Sequence, residues 1–145
     1  MQRIVVDWGT SNFRAYRFGP DGAVAETRQA AAGILTVADR AFEPVLRREI
    51  GDWLTTGAEI FLSGMITSRN GWLETPYVET PATLRALADG AVEKRLEGGA
   101  RLRFLPGVCQ RTPTPDVMRG EEIQVFGAIE PGATGTLVHP GTHGK

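Results

Sequence analysis

A single cysteine, Cys109, stands in the 145 residues. It excludes an internal disulfide and any Cys cluster at metal-ligand spacing, and it suits a reducing compartment. A dominant charge sign is also missing. Sixteen Lys and Arg against 17 Asp and Glu leave a net charge of −1, and no basic run exceeds the Arg47-Arg48 pair, so the chain carries no electrostatic footprint for nucleic acid or an anionic membrane. Long apolar runs are absent too. The stretch at residues 60–62 falls far short of the ~20 residues of a membrane span. The opening residues run straight into an apolar strand, without the basic start, apolar core and small-residue cleavage site of a secretory signal. A cytoplasmic protein working on small molecules is expected, with no nucleic-acid or membrane partner.

What is present is the mixture of one soluble globular domain, 41% hydrophobic and 23% charged. Residues 3–7 form a β-branched run, residues 13–18 alternate aromatic or small residues with Arg, and Gly19-Pro20-Asp21-Gly22 carries strong turn chemistry before an extended segment at 23–29. That pattern predicts an antiparallel meander of three strands. Phe42, Val45, Leu46, Ile50, Trp53 and Leu54 recur at helical spacing, with Arg47, Arg48 and Glu49 on the other face. Further expected elements are a strand at 59–63 and a helix capped by Thr80-Pro81 and stopped at Gly90. A strand at 101–105, a proline-rich loop over 106–115, a helix over 121–129 and a strand at 136–139 follow. Strands joined through helices run parallel. The fold expected is α/β, a ribonuclease-H-like mixed sheet with three antiparallel strands and then helix-linked parallel ones, in one domain over 1–145.

Four segments carry candidate chemistry. In Asp7-Trp8-Gly9-Thr10-Ser11-Asn12-Phe13-Arg14 a carboxylate ends a buried strand and two hydroxyls with their amides line the following turn, groups that suit phosphate and hydrated magnesium. A plain hairpin turn accounts for the same residues equally well. Val138-His139-Pro140-Gly141-Thr142-His143-Gly144-Lys145 again follows a predicted strand and offers Gly141 and Thr142 to an oxyanion; its ordinary alternative is a glycine turn.

Arg119-Gly120-Glu121-Glu122 opens a helix, where a carboxylate can take a hydroxyl proton or can simply complement the helix dipole. In Ser63-Gly64-Met65-Ile66-Thr67-Ser68-Arg69-Asn70-Gly71-Trp72, followed by Glu74, Pro76 and Tyr77, Arg69 can fork onto a carboxylate while Trp72 and Tyr77 pack on a sugar-acid chain. For Trp72 the core is the stronger alternative.

Taken together and in this order, Asp-Trp-Gly-Thr-Ser-Asn-Phe-Arg at 7–14, Gly-Met-Ile-Thr-Ser-Arg-Asn-Gly-Trp at 64–72, Pro-Asp-Val-Met-Arg-Gly-Glu-Glu at 115–122 and Pro-Gly-Thr-His at 140–143 resemble the 2-keto-3-deoxygalactonate kinases of the actin/hexokinase/chaperone ATPase superfamily. The resemblance implies ATP-dependent phosphorylation of a sugar acid's terminal hydroxyl. It places Asp7 near magnesium, and Gly9, Thr10, Ser11, Gly141 and Thr142 near phosphate. Arg14, Arg69 and Arg119 become anion contacts, and Glu121 or Glu122 the general base. The Arg-Gly-Glu-Glu segment is also similar to the catalytic segment of exopolyphosphatases, which keeps a phosphohydrolase open as an alternative.

The family pattern continues with Ser-Lys-Trp and a second, adenosine-binding domain, whereas Gly144 stands here in place of the serine. The chain is therefore expected to be the N-terminal half of an actin-like ATPase fold. A second copy or a C-terminal half would complete the site; a truncated domain that binds a sugar acid without turning it over is the remaining reading.

Overall fold

The computed structural model describes residues 1–140. Its first strand, β1 (Arg3–Trp8), alternates strictly, with Ile4, Val6 and Trp8 fully buried and Val5 and Asp7 only partly so. This period-two pattern turns one face of the strand to a core and leaves the other for chemistry. β2 (Phe13–Phe18) returns antiparallel to β1, pairing Trp8 with Phe13 and Asp7 with Arg14, and β3 (Val24–Ala30) pairs antiparallel with β2. The predicted meander is therefore present. α1 (Phe42–Ile50) buries Phe42, Leu46 and Ile50, and its last turn gives way to a 3₁₀ turn at Gly51–Trp53, so the apolar stripe read as one helix is two pieces.

β4 (Glu59–Ser63) runs parallel to β1, with Asp7 opposite Ser63. Next come β5 (Val78–Glu79), α2 (Leu84–Asp89), β6 (Val92–Arg95), β7 (Arg101–Phe104), β8 (Val108–Gln110), β9 (Asp116–Met118) and α3 (Glu121–Ala128). A six-stranded mixed sheet has the order β3-β2-β1-β4-β7-β6, with β7 parallel to β4 and β6 antiparallel to β7. A separate three-stranded sheet has the order β5-β8-β9. Ile4, Val6, Trp8, Phe13, Ala15, Ile60, Leu62, Leu102 and Phe104 share one core with Phe42, Leu46, Ile50 and Trp53. Each such aliphatic or Phe side chain contributes ~1.5–3 kcal/mol on burial. Trp8 sits at the centre, edge-on to Phe13 at 4.9 Å, with its indole N–H donating to the Ala32 carbonyl at 2.7 Å. That bond removes the cost of burying a lone donor.

Three expectations need correction. The second helix is capped by Thr83, whose hydroxyl accepts from the Ala86 amide at 3.1 Å, and not by Thr80-Pro81. The proline-rich loop contains β8, and β5, β6 and β9 were not foreseen; at two to four residues each they are too short to show a period. Residues 136–139 form no strand: Val138 is 75% exposed, and no described strand pairs with this segment, so an alternating pattern alone finds no partner for its backbone groups. Among the described residues, no helix is long and apolar enough to cross a membrane.

Candidate functional site

Two glycines bring three distant pieces of chain into contact. Gly64, just past β4, has φ +91°, and Gly120, just before α3, has φ +115°, both in territory that L side chains rarely enter. A Cβ on Gly120 would stand 3.1 Å from the Gly64 Cα, and one on Gly64 would stand 2.9 Å from the Trp8 carbonyl oxygen and 3.2 Å from Asp7 Oδ1. Without side chains at these positions, the start of α3 closes onto the ends of β1 and β4. The result is a cleft of about 700 Å³ at the carboxyl ends of parallel strands, lined among others by Asp7, Gly9, Thr10, Tyr77, Glu121 and Gln124. Such strand ends are common ligand sites.

The turn after β1 is held from outside. The amides of Gly33, Ile34 and Leu35 donate to the carbonyls of Ser11, Gly9 and Thr10 at 3.1, 3.0 and 3.2 Å, and Gly9 N–H closes the turn on the Asn12 carbonyl at 2.9 Å. With its carbonyls engaged, the turn can offer the Thr10 and Ser11 amides to an anion. Gly9 and Thr10 line the cleft; Ser11 is exposed beside it.

Asp7 is half-buried with Arg14 Nη1 3.6 Å from its Oδ2. Burial pushes its carboxyl above the usual range, the Arg14 guanidinium opposes that shift, and the nearby Glu121 carboxylate adds to it. Glu121 accepts the Arg119 amide on Oε2 at 3.0 Å and lines the cleft. Glu122 turns away. It is 2% exposed, its carboxylate accepts the Gly120 amide at 2.8 and 2.9 Å, and burial raises its pKa despite that bond. Of the two adjacent carboxylates, only Glu121 faces the cavity, a distinction one residue of helix rotation makes and composition does not.

The remaining candidates divide. Tyr77 lines the cleft at 43% exposure. Arg119 lines it as well, but its guanidinium is directed into the protein, onto Thr67 and Thr75. Arg14 borders a smaller neighbouring hollow with Asn12 and Gln29. Trp72 is packed away from the cavity, stacked on Phe42 at 6.4 Å and edge-on to Phe104 at 5.5 Å, so the core accounts for its position. Arg69 is exposed and does not line the cleft. Gly141 and Thr142 lie outside the described residues, although His139 and Pro140 just before them reach the cleft wall.

Met65 and Gln124 also line the cavity and were not anticipated. Gln124 had a readable signal: it stands three residues after Glu121 and so shares its helix face.

The sequence profile described as 2-keto-3-deoxy-galactonokinase matches residues 7–145. The chain belongs to that family. It is 42% identical over 144 residues to a Rhizobium meliloti (strain 1021) protein provisionally named 2-dehydro-3-deoxygalactonokinase DgoK1, covering 97% of this chain and 47% of the relative. It is 32% identical over 143 residues to the 2-dehydro-3-deoxygalactonokinase of Escherichia coli (strain K12), covering 98% and 47%. A crystal structure from Sinorhizobium meliloti, provisionally described as a 2-dehydro-3-deoxygalactonokinase protein, superposes with a TM-score of 0.82 at 39% identity, over 98% of this chain and 48% of that one. The chain thus spans about half the length of the family members it matches.

Proposed function

We propose that this chain forms the N-terminal, ribonuclease-H-like half of an actin-like ATPase fold, in a cytoplasmic kinase. That kinase transfers the γ-phosphoryl group of ATP to the terminal hydroxyl of 2-keto-3-deoxygalactonate. Family membership supports the substrate pair. The observation that carries the chemistry is the meeting of Asp7, the Thr10 turn and Glu121 around one cleft.

In this reading Glu121 takes the proton of the attacking hydroxyl as the hydroxyl oxygen bonds to the γ-phosphorus and ADP departs with the electron pair of the broken P–O bond. Its position at the cavity wall supports this role over Glu122, whose oxygens are occupied by its own helix start. The Thr10 and Ser11 amides and hydroxyls receive phosphate oxygens beside Gly9, whose own amide donates to the Asn12 carbonyl. Gly141 and Thr142, which lie outside the described residues, are assigned a phosphate contact by the family resemblance alone. Positioning and charge stabilisation supply most of the rate in such transfers. Tyr77 forms a wall for the sugar acid, and Arg14 contributes positive charge beside Asp7.

Magnesium fits the donor set. Among the described residues no group of three or more His, Cys, Asp or Glu side chains is placed to hold a metal, so the fit is for an ion that takes a single carboxylate and fills its other positions with phosphate oxygens and water. Asp7 is that carboxylate, and the Glu121 charge beside it is relieved by a cation. When bound, magnesium would neutralise the β and γ phosphates.

The test incubates the protein carrying this sequence with ATP, magnesium and 2-keto-3-deoxygalactonate and follows ADP. Release that depends on the sugar acid is expected. ATP consumption indifferent to the sugar acid, or phosphate release from polyphosphate alone, would replace the kinase with a phosphohydrolase.

A further inference from the structure

Arg119 has the chemistry of an anion ligand and the surroundings of a clamp. Its Nη1 donates to the Thr67 carbonyl at 2.6 Å, the Thr67 hydroxyl at 2.8 Å and the Thr75 hydroxyl at 2.7 Å, while Nη2 donates to the Thr75 carbonyl at 3.1 Å. The guanidinium lies over the Tyr77 ring at 4.3 Å, and Nε is buried. Thr67 and Thr75 are themselves 0% and 1% exposed. They hold each other through the Thr75 amide on the Thr67 carbonyl at 3.0 Å, and the Thr75 hydroxyl also reaches the Leu105 carbonyl at 3.2 Å. At its other end the Arg119 backbone amide is fixed by Glu121 Oε2. One residue therefore ties the loop that carries Tyr77 to the carboxylate at the start of α3, across 44 and 52 residues of sequence.

We propose that Arg119 is a positioning residue for the sugar-acid side of the cleft, holding Tyr77 and Glu121 in register, and that it does not contact the substrate anion. The planar fork explains why arginine stands here. Two threonine residues present carbonyls and hydroxyls that converge on it, and lysine has neither the reach of both Nη groups nor the flat face for Tyr77. The proposal rests on the kinase reading for its consequence in turnover, but the clamp itself is observable without any ligand.

The test uses the protein carrying this sequence with Arg119→Lys, Thr75→Val and Thr75→Ser. Amide hydrogen exchange is measured first, without ligands. Arg119→Lys and Thr75→Val should each accelerate exchange at the Thr67 and Thr75 amides by about ten-fold or more, while amides of the β1–β2 pair stay unchanged. Thr75→Ser, which keeps the hydroxyl, should restore protection.

In the kinetic arm, Arg119→Lys and Thr75→Val should raise the sugar-acid KM by about ten-fold with the ATP KM within about two-fold, and their effects should be non-additive in the double variant. Undiminished protection in Arg119→Lys overturns the proposal. A silent Thr75→Val beside a raised sugar-acid KM in Arg119→Lys overturns it too, since an anion ligand behaves that way. Failure of the kinase reading shows elsewhere, as absence of sugar-dependent ADP from the unsubstituted protein; the exchange arm then still upholds or overturns the clamp.

Discussion

Replacing Gly64 by alanine perturbs the contact on which the cleft depends. At φ +91° and ψ −158°, a Cβ-bearing residue stores ~1–3 kcal/mol of backbone strain. The new methyl would also stand 2.9 Å from the Trp8 carbonyl oxygen, closer than real Cβ contacts allow, and relieving such overpacking costs a further ~1–3 kcal/mol. A central value of ~4 kcal/mol follows from the two together. Unfolding entropy of ~2.1 cal/mol/K per residue gives ~0.3 kcal/mol/K for a chain of this length, so Tm should fall by ~13 °C.

Because Asp7 Oδ1 lies 3.2 Å from the same Cβ position, the displaced strand end should carry the carboxylate with it, and sugar-dependent ADP release should drop as well. Gly127→Ala is the control. Nothing lies within 4 Å of its Cβ position inside α3, and alanine there should raise stability by ~0.5–1 kcal/mol through helix propensity. Calorimetry or circular dichroism on both variants separates the cases. A Gly64→Ala protein melting within about 2 °C of the parent, well inside the span worked out from the entropy scale, would refute the close approach.

Glu121→Gln should lower kcat by ~10²–10⁴-fold with little change in Tm, since the amide oxygen can still accept the Arg119 N–H; a rate within a factor of a few of the parent would remove Glu121 as base. For Glu122 the folded-state carboxyl titrates above its ordinary value of 4.5 because of burial. Its stabilising contribution is therefore full below that value and is lost as pH rises through the higher folded one. Relative to Glu122→Gln, the parent should lose stability as pH rises above about 4.5, and urea midpoints that keep a constant gap as pH rises from there would contradict it. Trp72→Leu should cost ~2 kcal/mol through lost aromatic packing and leave the sugar-acid KM unchanged, because the ring faces Phe42 and Phe104; a raised KM would bring Trp72 back into the site.

The opening meander, the first helix and β4 are legible in the chain because their signals are local: a β-branched run and an alternating run bounded by turn residues, a helical spacing of apolar residues, and a short apolar run. The candidate chemistry is legible as well, since Asp7, Thr10 and Glu121 lie in short motifs of distinctive composition.

Tertiary structure alone decided the rest. β5 exists through parallel pairing with β8, which lies about 30 residues further along the chain, while β6 and β9 pair antiparallel with the nearby β7 and β8 in stretches too short to show a period of their own. The choice between Glu121 and Glu122 depends on how α3 is rotated where Gly120 meets Gly64. Arg119 reads as a free cation until Thr67 and Thr75 close around it. Local sequence sets backbone preference and the alternation of faces, whereas the partner a side chain meets is set by contacts between residues dozens of positions apart, and no local period encodes those.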